Sequence, residues 1–535
     1  MVPGSRKQKN EESCLIERAQ LSQNRNRMSL QGPLYDLIVI GSGPAGQRAA
    51  LQGAKSGKKV ALIDAGAAVG GACVHFGTLP SKSFRESVYR YSLGSRGVLG
   101  LTSDEAEKGK NKKAFRMPEM SRLLKRKERV VQGETQVISD QLKRNHIRLY
   151  QGHARFLSSH ELEIESKKGR DTTHETITGE IIIIAVGARP ISPAHLEVDD
   201  KFVFDSDTIL ALKEVPSHMV VLGGGIIGAE YASMFSMAGT EVVLVDRRHE
   251  ILASVDREIV NQLMQRFEDQ GMEIVLGAEA MGIERKKIKV KAKTSAKKSA
   301  TKTATKTVVQ LSNGRKLTTD VVLVAQGRSG NTEGLGLENV GIDIDSRGLI
   351  TVDKNFRTSV PNIYAAGDVI GAPALASTSM EQGRIATCHA FGIKTKTGSN
   401  AVHAEHEMPE LYPYGIYTIP EISMIGKTEE ELKTAKVDFV VGRARYKELA
   451  RGQIVGDRWG ILKLLVDRRS LKILGIHIVG DNAADLIHIG QAVMAFNGDV
   501  TYFINSVFNY PTLAEAYKTA AFHAVNTILG STKTP

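Results

Sequence analysis

The stretch that most constrains the fold is DLIVIGSGPAGQRAA, Asp36 to Ala50. An apolar run, Leu37 to Ile40, reads as a buried strand that leads through Gly41, Gly43 and Gly46 into a helix. Each glycine has a steric reason. Gly41 permits a tight turn, Gly43 lets backbone approach a pyrophosphate, and Gly46 lets the helix lie close on the strand. A second run, Val60 to Ile63, completes a βαβ unit and ends in Asp64, an acid placed to accept hydrogen bonds from a ribose. The pattern returns as HMVVLGGGIIGAEYASMFSMAGTEVVLVD, His218 to Asp246, with Gly223, Gly225 and Gly228 after one strand and Asp246 ending the next. Two such units on one chain predict two bound dinucleotides and an α/β fold.

The chain has 535 residues, enough for about three or four domains of 100 to 200 residues each. Its net charge of +12 raises the question of nucleic acid, so the location of the charge decides. Lys286 to Lys306 carries nine lysines and no acid, and Met1 to Pro33 carries six Arg or Lys against three Glu; the remainder is close to neutral. Charge confined in this way reads as a disordered tail (1–33) and a solvated, mobile Lys-rich insert (286–306), and both are poor in aromatics on which bases could stack. No nucleic acid is expected. Cys14, Cys73 and Cys388 lie far apart, which argues against a disulfide framework and for a reducing, cytoplasmic setting. No stretch approaches the roughly 18 apolar residues of a membrane span.

Between and after the two units lie IIIIAVGARP, Ile181 to Pro190, and VPNIYAAGDV, Val360 to Val369, strands that end in small residues and a turn. A first G-x-G-x-x-G, an A-x-G turn, a second G-x-G-x-x-G-x-E and an A-x-G-D segment, in this order, resemble the FAD- and NAD(P)-dependent flavoprotein disulfide reductases. The resemblance runs from about Tyr35 to about Leu529. It implies two Rossmann-like dinucleotide-binding domains and a C-terminal α+β dimerisation domain. It divides the chain into a FAD-binding part at 34–189, an NAD(P)-binding part at 190–325 that should hold the insert in a hairpin, a central part at 326–405 that returns to FAD, and a dimerisation part at 406–535. A homodimer or larger homo-oligomer follows from it.

The family's redox pair is C-x-x-x-x-C followed by P-S-K, because two thiols on one turn can pass electrons from flavin to an external disulfide. In GGACVHFGTLPSK the first position is Cys73 and the second is Thr78. A hydroxyl cannot exchange with a disulfide. The family's C-terminal His-Pro-Thr reads Tyr510, Pro511, Thr512, so the imidazole that handles the thiol proton is missing too, while Glu515, its orienting partner in relatives, remains.

The parts concerned with hydride are intact. By resemblance, Lys82 is the family's lysine beside the flavin and Glu230 is its partner, together the catalytic pair, and a cation there favours the reduced cofactor. The resemblance assigns Gly41, Gly43, Gly46, Asp64, Cys73, Lys82, Gly187 and Asp368 to FAD. A helix starting near Leu375 and Ala376 would add its positive end. Gly223, Gly225, Gly228, Asp246 and Gly327 go to the nicotinamide nucleotide. Asp246 suits the free ribose of NAD, whereas Arg247 and Arg248, directly after it, suit the 2′-phosphate of NADP. Within the family the likeness is greatest to members that lack the second cysteine; FNYPTLAEAY, GIYTIPEIS and LIHIGQAVM carry it. The reaction so implied is transhydrogenation, NADPH and NAD⁺ giving NADP⁺ and NADH through FAD in a ping-pong cycle. Three other readings stand beside it: a single-cysteine peroxide or coenzyme A disulfide reductase, an NAD(P)H diaphorase, and a non-enzymatic scaffold that binds polyanions through the insert.

Overall fold

A computed structural model describes residues 32–95, 119–291, 301–393 and 408–530. Nearly all of the expected tail, 1–33, lies outside them. The chain divides into two compact units. The first is Met1–Val69, Ile138–Gly187 and Gly330–Glu407; the second is Gly70–Val137, Ala188–Ser329 and Met408–Pro535.

In the first unit the strands Arg148–Gln151, Val60–Asp64, Leu34–Ile40 and Asp171–Ile184 lie side by side and parallel, with Ile363–Ala365 parallel to the last. Leu37 pairs with Val60 on one side and with Ile181 on the other. Parallel strands are covered on both faces, which is why they read as unbroken apolar runs rather than as alternating ones. Leu37, Ile38, Val39, Leu62 and Ile63 are accordingly fully buried. The outer half of Asp171–Ile184 continues into an antiparallel arm with Glu161–Lys168 and His153–Phe156. The helices Pro44–Lys55 and Ala376–Ala390 pack against each other, and Thr387 Oγ1 donates to the Ala49 carbonyl at 3.2 Å.

The second unit contains a parallel sheet in the order Glu273–Leu276, Glu241–Asp246, His218–Leu222, Val321–Val324, Val203–Asp205. Its helix Ile226–Met237 packs on Thr78–Ser95, with the buried rings of Phe235 and Phe84 at 5.4 Å. The insert lies in a hairpin, as expected: Ala280–Lys291 and Thr301–Leu311 pair antiparallel as far as Lys291 and Thr301. Ile, Val and Thr alternate with the lysines there, and those side chains suit a pleated strand. Residues 292–300 lie outside the described residues.

The same unit carries an antiparallel sheet, Tyr414–Ile416, Glu421–Gly426, Ile473–Gly480, Ile461–Asp467, Phe439–Arg445. Ala483–Ala495 and Glu515–Ile528 pack on it and share one apolar core, to which Leu462, Ile476, Ile478, Phe503 and Tyr517 belong. This sheet meets the helix Arg257–Asp269 through a buried ionic node. Lys463, 1 % exposed, donates to both oxygens of Asp256, which is fully buried, at 2.8 and 2.9 Å and to Glu429 at 2.5 Å. Asp256 also caps the helix Arg257–Asp269 by accepting the Glu258 N–H. Glu258 in turn receives Arg443 at 2.7 and 2.9 Å.

Candidate active site

The two glycine turns repeat each other residue by residue. At Gly41, with φ of 104°, an added Cβ would stand 2.3 Å from the Ala185 carbonyl oxygen; at Gly223, with φ of 115°, it would stand 2.4 Å from that of Ala325. Any side chain there would force the turn away from the neighbouring strand. Gly46 and Gly228 lie against the carbonyls of Gly41 and Gly223, each with only 1.8 Å for a Cβ. Gly43 and Gly225 face the other way. An added Cβ at either meets nothing within 4 Å, and each is the N-cap of a helix, Pro44–Lys55 or Ile226–Met237, with no side-chain cap. An open cradle at an uncapped helix N-terminus fits a pyrophosphate, which backbone N–H groups and the helix dipole both favour.

The acids at the strand ends are held alike. Asp64 Oδ2 accepts the Ser42 N–H at 2.6 Å and Oδ1 that of Gly66 at 2.7 Å. Asp246 Oδ2 accepts the Gly224 N–H at 2.6 Å and Oδ1 that of Arg248 at 2.8 Å. The Arg248 guanidinium then adds two bonds of its own, Nε to Oδ1 at 3.1 Å and Nη2 to Oδ2 at 2.9 Å. Burial alone would raise the Asp246 carboxyl; these hydrogen bonds outweigh it and hold the group below the usual carboxylate range. Arg247, beside it, is exposed.

Gly187 and Asp368 belong to the first unit with Gly41 and Asp64. Gly187 accepts the Asn331 N–H at 3.0 Å, and Asp368 opens a single turn after Gly367, whose N–H donates to Gln382 at 2.8 Å. The expected helix is present as Ala376–Ala390 with Leu375 as its N-cap. Gly327, at φ of 117°, lies in the second unit and accepts the Ile191 N–H at 3.0 Å.

Lys82 and Glu230 are brought together within the second unit, Nζ to Oε2 at 2.7 Å. Glu230 Oε1 accepts the Tyr417 N–H at 2.8 Å, and the Lys82 ammonium lies 5.1 Å from the centre of the Tyr417 ring. Sequence reasoning misses Tyr417 as part of this site. Its segment, GIYTIPEIS, reads there only as a landmark of the C-terminal part. Cys73 sits in the short helix Gly71–His75, and neither it nor Cys388 forms a disulfide. Thr78 begins the next helix. Tyr510 is 73 % exposed, while Glu515 accepts the Thr512 N–H at 3.4 Å and so serves the start of the last helix.

Residues 35–383 match the pyridine nucleotide-disulphide oxidoreductase family, and residues 412–521 match its dimerisation domain. The chain belongs to this family. As a pyridine nucleotide-disulphide oxidoreductase it is a flavoprotein that uses FAD and a nicotinamide nucleotide, and its C-terminal sheet is the dimerisation module. The soluble pyridine nucleotide transhydrogenase of Mycobacterium tuberculosis is 43 % identical over 92 % of this chain and 97 % of its own. That of Pectobacterium atrosepticum is 41 % identical over 92 % and 98 %. Among solved structures, the HOCl-induced flavoprotein disulfide reductase RclA of Escherichia coli matches with a TM-score of 0.75 at 27 % identity, covering 91 % of this chain and 99 % of that one. No helix among the described residues is long and apolar enough to cross a membrane.

Proposed function

We propose that this oxidoreductase is a transhydrogenase that takes hydride from NADPH and gives it to NAD⁺, acting as a homodimer in the cytoplasm. The observation that carries the reading is Thr78 at the head of its helix, where a dithiol enzyme needs its second sulfur. Cys73 alone cannot close an intramolecular disulfide, and in this reading the nicotinamide subsite serves for both entry and exit of reducing equivalents. The relatives at 41 to 43 % identity carry the name of that activity.

Bound FAD supplies a two-electron relay between the nucleotides. Residues 34–189 and 326–405 would hold it, through the turn Gly41, Gly43 and Gly46, through Asp64, Gly187 and Asp368, and through the helix that starts at Leu375 and Ala376. Cys73 would take no redox part, as a packing residue under the cofactor or a vestigial thiol. Residues 190–325 would hold the nicotinamide nucleotide, through Gly223, Gly225, Gly228 and Gly327, with Asp246, Arg247 and Arg248 reading the ribose. Lys82 supplies a fixed positive charge to the reaction. Glu230 keeps that ammonium in place and Tyr417 keeps Glu230 in place, so the charge is preorganised rather than assembled during turnover.

The test is an assay of the purified protein mixing NADPH with thio-NAD⁺. Formation of reduced thio-NAD at the rate NADPH disappears is the expected result. NADPH consumption that depends on peroxide, quinone or a disulfide, with no thio-NAD reduced, would overturn the reading.

A further inference from the structure

The acids Asp64 and Asp246 accept the same two backbone bonds and differ in what else reaches them. Two positions after Asp64 stands Gly66, which has no side chain, and among the described residues Asp64 takes only the N–H groups of Ser42 and Gly66. Two positions after Asp246 stands Arg248, whose Nε and Nη2 donate one bond to each carboxylate oxygen, at 3.1 and 2.9 Å. An ionised carboxylate offers about four lone-pair sites. At Asp246 the Gly224 and Arg248 N–H groups and the two guanidinium donors fill them. A ribose carrying both hydroxyls therefore finds no acceptor at Asp246 while Arg248 stays where it is.

The exposures decide which partner moves. The Asp246 side chain is 5 % exposed and that of Arg248 is 46 % exposed, so the carboxylate is fixed and the guanidinium can leave. Water can solvate the guanidinium once it leaves, because that end of the pair is half exposed. Its departure uncovers one site on each oxygen, which is what a 2′,3′-diol requires. In place, Arg248 cancels the negative charge that would repel a phosphate, and its Nη1 donors remain for one.

We propose that Arg248 is a two-position selector. Resting on Asp246 it admits the 2′-phosphate of NADP(H), and displaced from Asp246 it admits the ribose diol of NAD(H), so that one subsite serves both nucleotides in turn. The proposal rests on the transhydrogenase reading, which requires such alternation.

Isothermal titration of the FAD-loaded, full-length protein with ADP-ribose and with 2′-phospho-ADP-ribose tests it. Arg248→Met should tighten ADP-ribose about fivefold, because the carboxylate is no longer covered. The same variant should weaken the phosphorylated probe about tenfold or more. Unchanged or weaker ADP-ribose binding would overturn the selector, since covering Asp246 would then not oppose the diol. Asp246→Asn gives the second arm: adding Arg248→Met to it should bring no gain for ADP-ribose, and a gain as large as in the Asp246 background would also overturn the proposal. Wild-type protein that binds ADP-ribose but not its 2′-phosphate would instead sink the transhydrogenase reading itself.

Discussion

Glu230 divides its two oxygens between Lys82 and the backbone of Tyr417: Oε2 receives the ammonium at 2.7 Å and Oε1 the N–H at 2.8 Å. Substitutions can separate the two tasks. Glu230→Gln removes the charge and keeps an acceptor for Tyr417, whereas Glu230→Ala removes both. A buried N–H left without a partner costs about 1 to 3 kcal/mol. Urea unfolding should therefore place the Ala variant below the Gln variant by about that amount, and equal midpoints would show that the Tyr417 N–H found another partner.

Lys82→Met tests the preorganised charge. If the ammonium stabilises the transition state, rapid-mixing absorbance of the bound flavin should show slower reduction by NADPH and slower reoxidation by NAD⁺ alike, each by about 10²-fold. Slower reduction with faster reoxidation would place its effect on the reduced ground state, and two unchanged rates would make Lys82 a structural residue.

Cys73 has no second thiol at Thr78. Reductive titration should consume two electrons per FAD, and Cys73→Ser should keep most of the thio-NAD reduction. Uptake of four electrons would reveal a dithiol and contradict this account.

Lys463 gathers Asp256, Glu258 and Glu429 around one buried ammonium, at 2.8, 3.1 and 2.5 Å. Lys463→Met leaves buried Asp256 without its ammonium, while Glu258 keeps Arg443 and Glu429 keeps Lys433, and breaking a buried pair from one side costs about 3 to 5 kcal/mol. Adding Asp256→Asn should recover part of that loss, because the amide oxygen can still cap the helix at Glu258 while one stranded charge disappears. A double variant that is less stable than Lys463→Met by the full effect of Asp256→Asn alone would show that the two do not interact.

Acid should weaken the same region in two stages. Burial holds His477 below its ordinary range; its Nε2 donates to the Lys427 carbonyl at 2.8 Å, and Nδ1 is buried with no hydrogen-bond partner among the described residues. Below about pH 6.5 the unfolded chain binds a proton there that the folded chain refuses, so stability falls as pH drops. Against their burial, Asp256 is held low by His477 and Lys463, Glu258 by Arg443 and Lys463, and Glu429 by Lys433 and Lys463. Their contribution is complete above the unfolded values of about 4 and is lost as pH falls through the lower folded ones. Thermal midpoints should thus decline from about pH 6.5 and more steeply below about 4, and His477→Gln should flatten the first stage.

Sequence by itself determined the parts that rest on local backbone sterics. A strand, a glycine turn and a helix are neighbours along the chain, and Gly41 and Gly223 sit where the turn leaves no room for a Cβ; such features are written in consecutive residues. The same holds for Thr78, whose chemistry is settled by its identity, and for the helix at Ala376. Resemblance places the Lys-rich insert in a hairpin, and the Thr, Ile and Val between its lysines suit the pairing of Ala280–Lys291 with Thr301–Leu311.

Tertiary structure alone decided which side chains meet. The family resemblance named Lys82 and Glu230, but nothing local to either points to Tyr417, 187 positions beyond Glu230. Lys463 and Asp256 are 207 positions apart, and in sequence each looks like an ordinary surface charge. Even Arg248, two residues from Asp246, showed only its type; that its guanidinium lies across the carboxylate depends on a rotamer and on burial of the acid. Backbone turns follow from short-range exclusion, whereas ion pairs follow from the distances that the finished fold sets between remote residues.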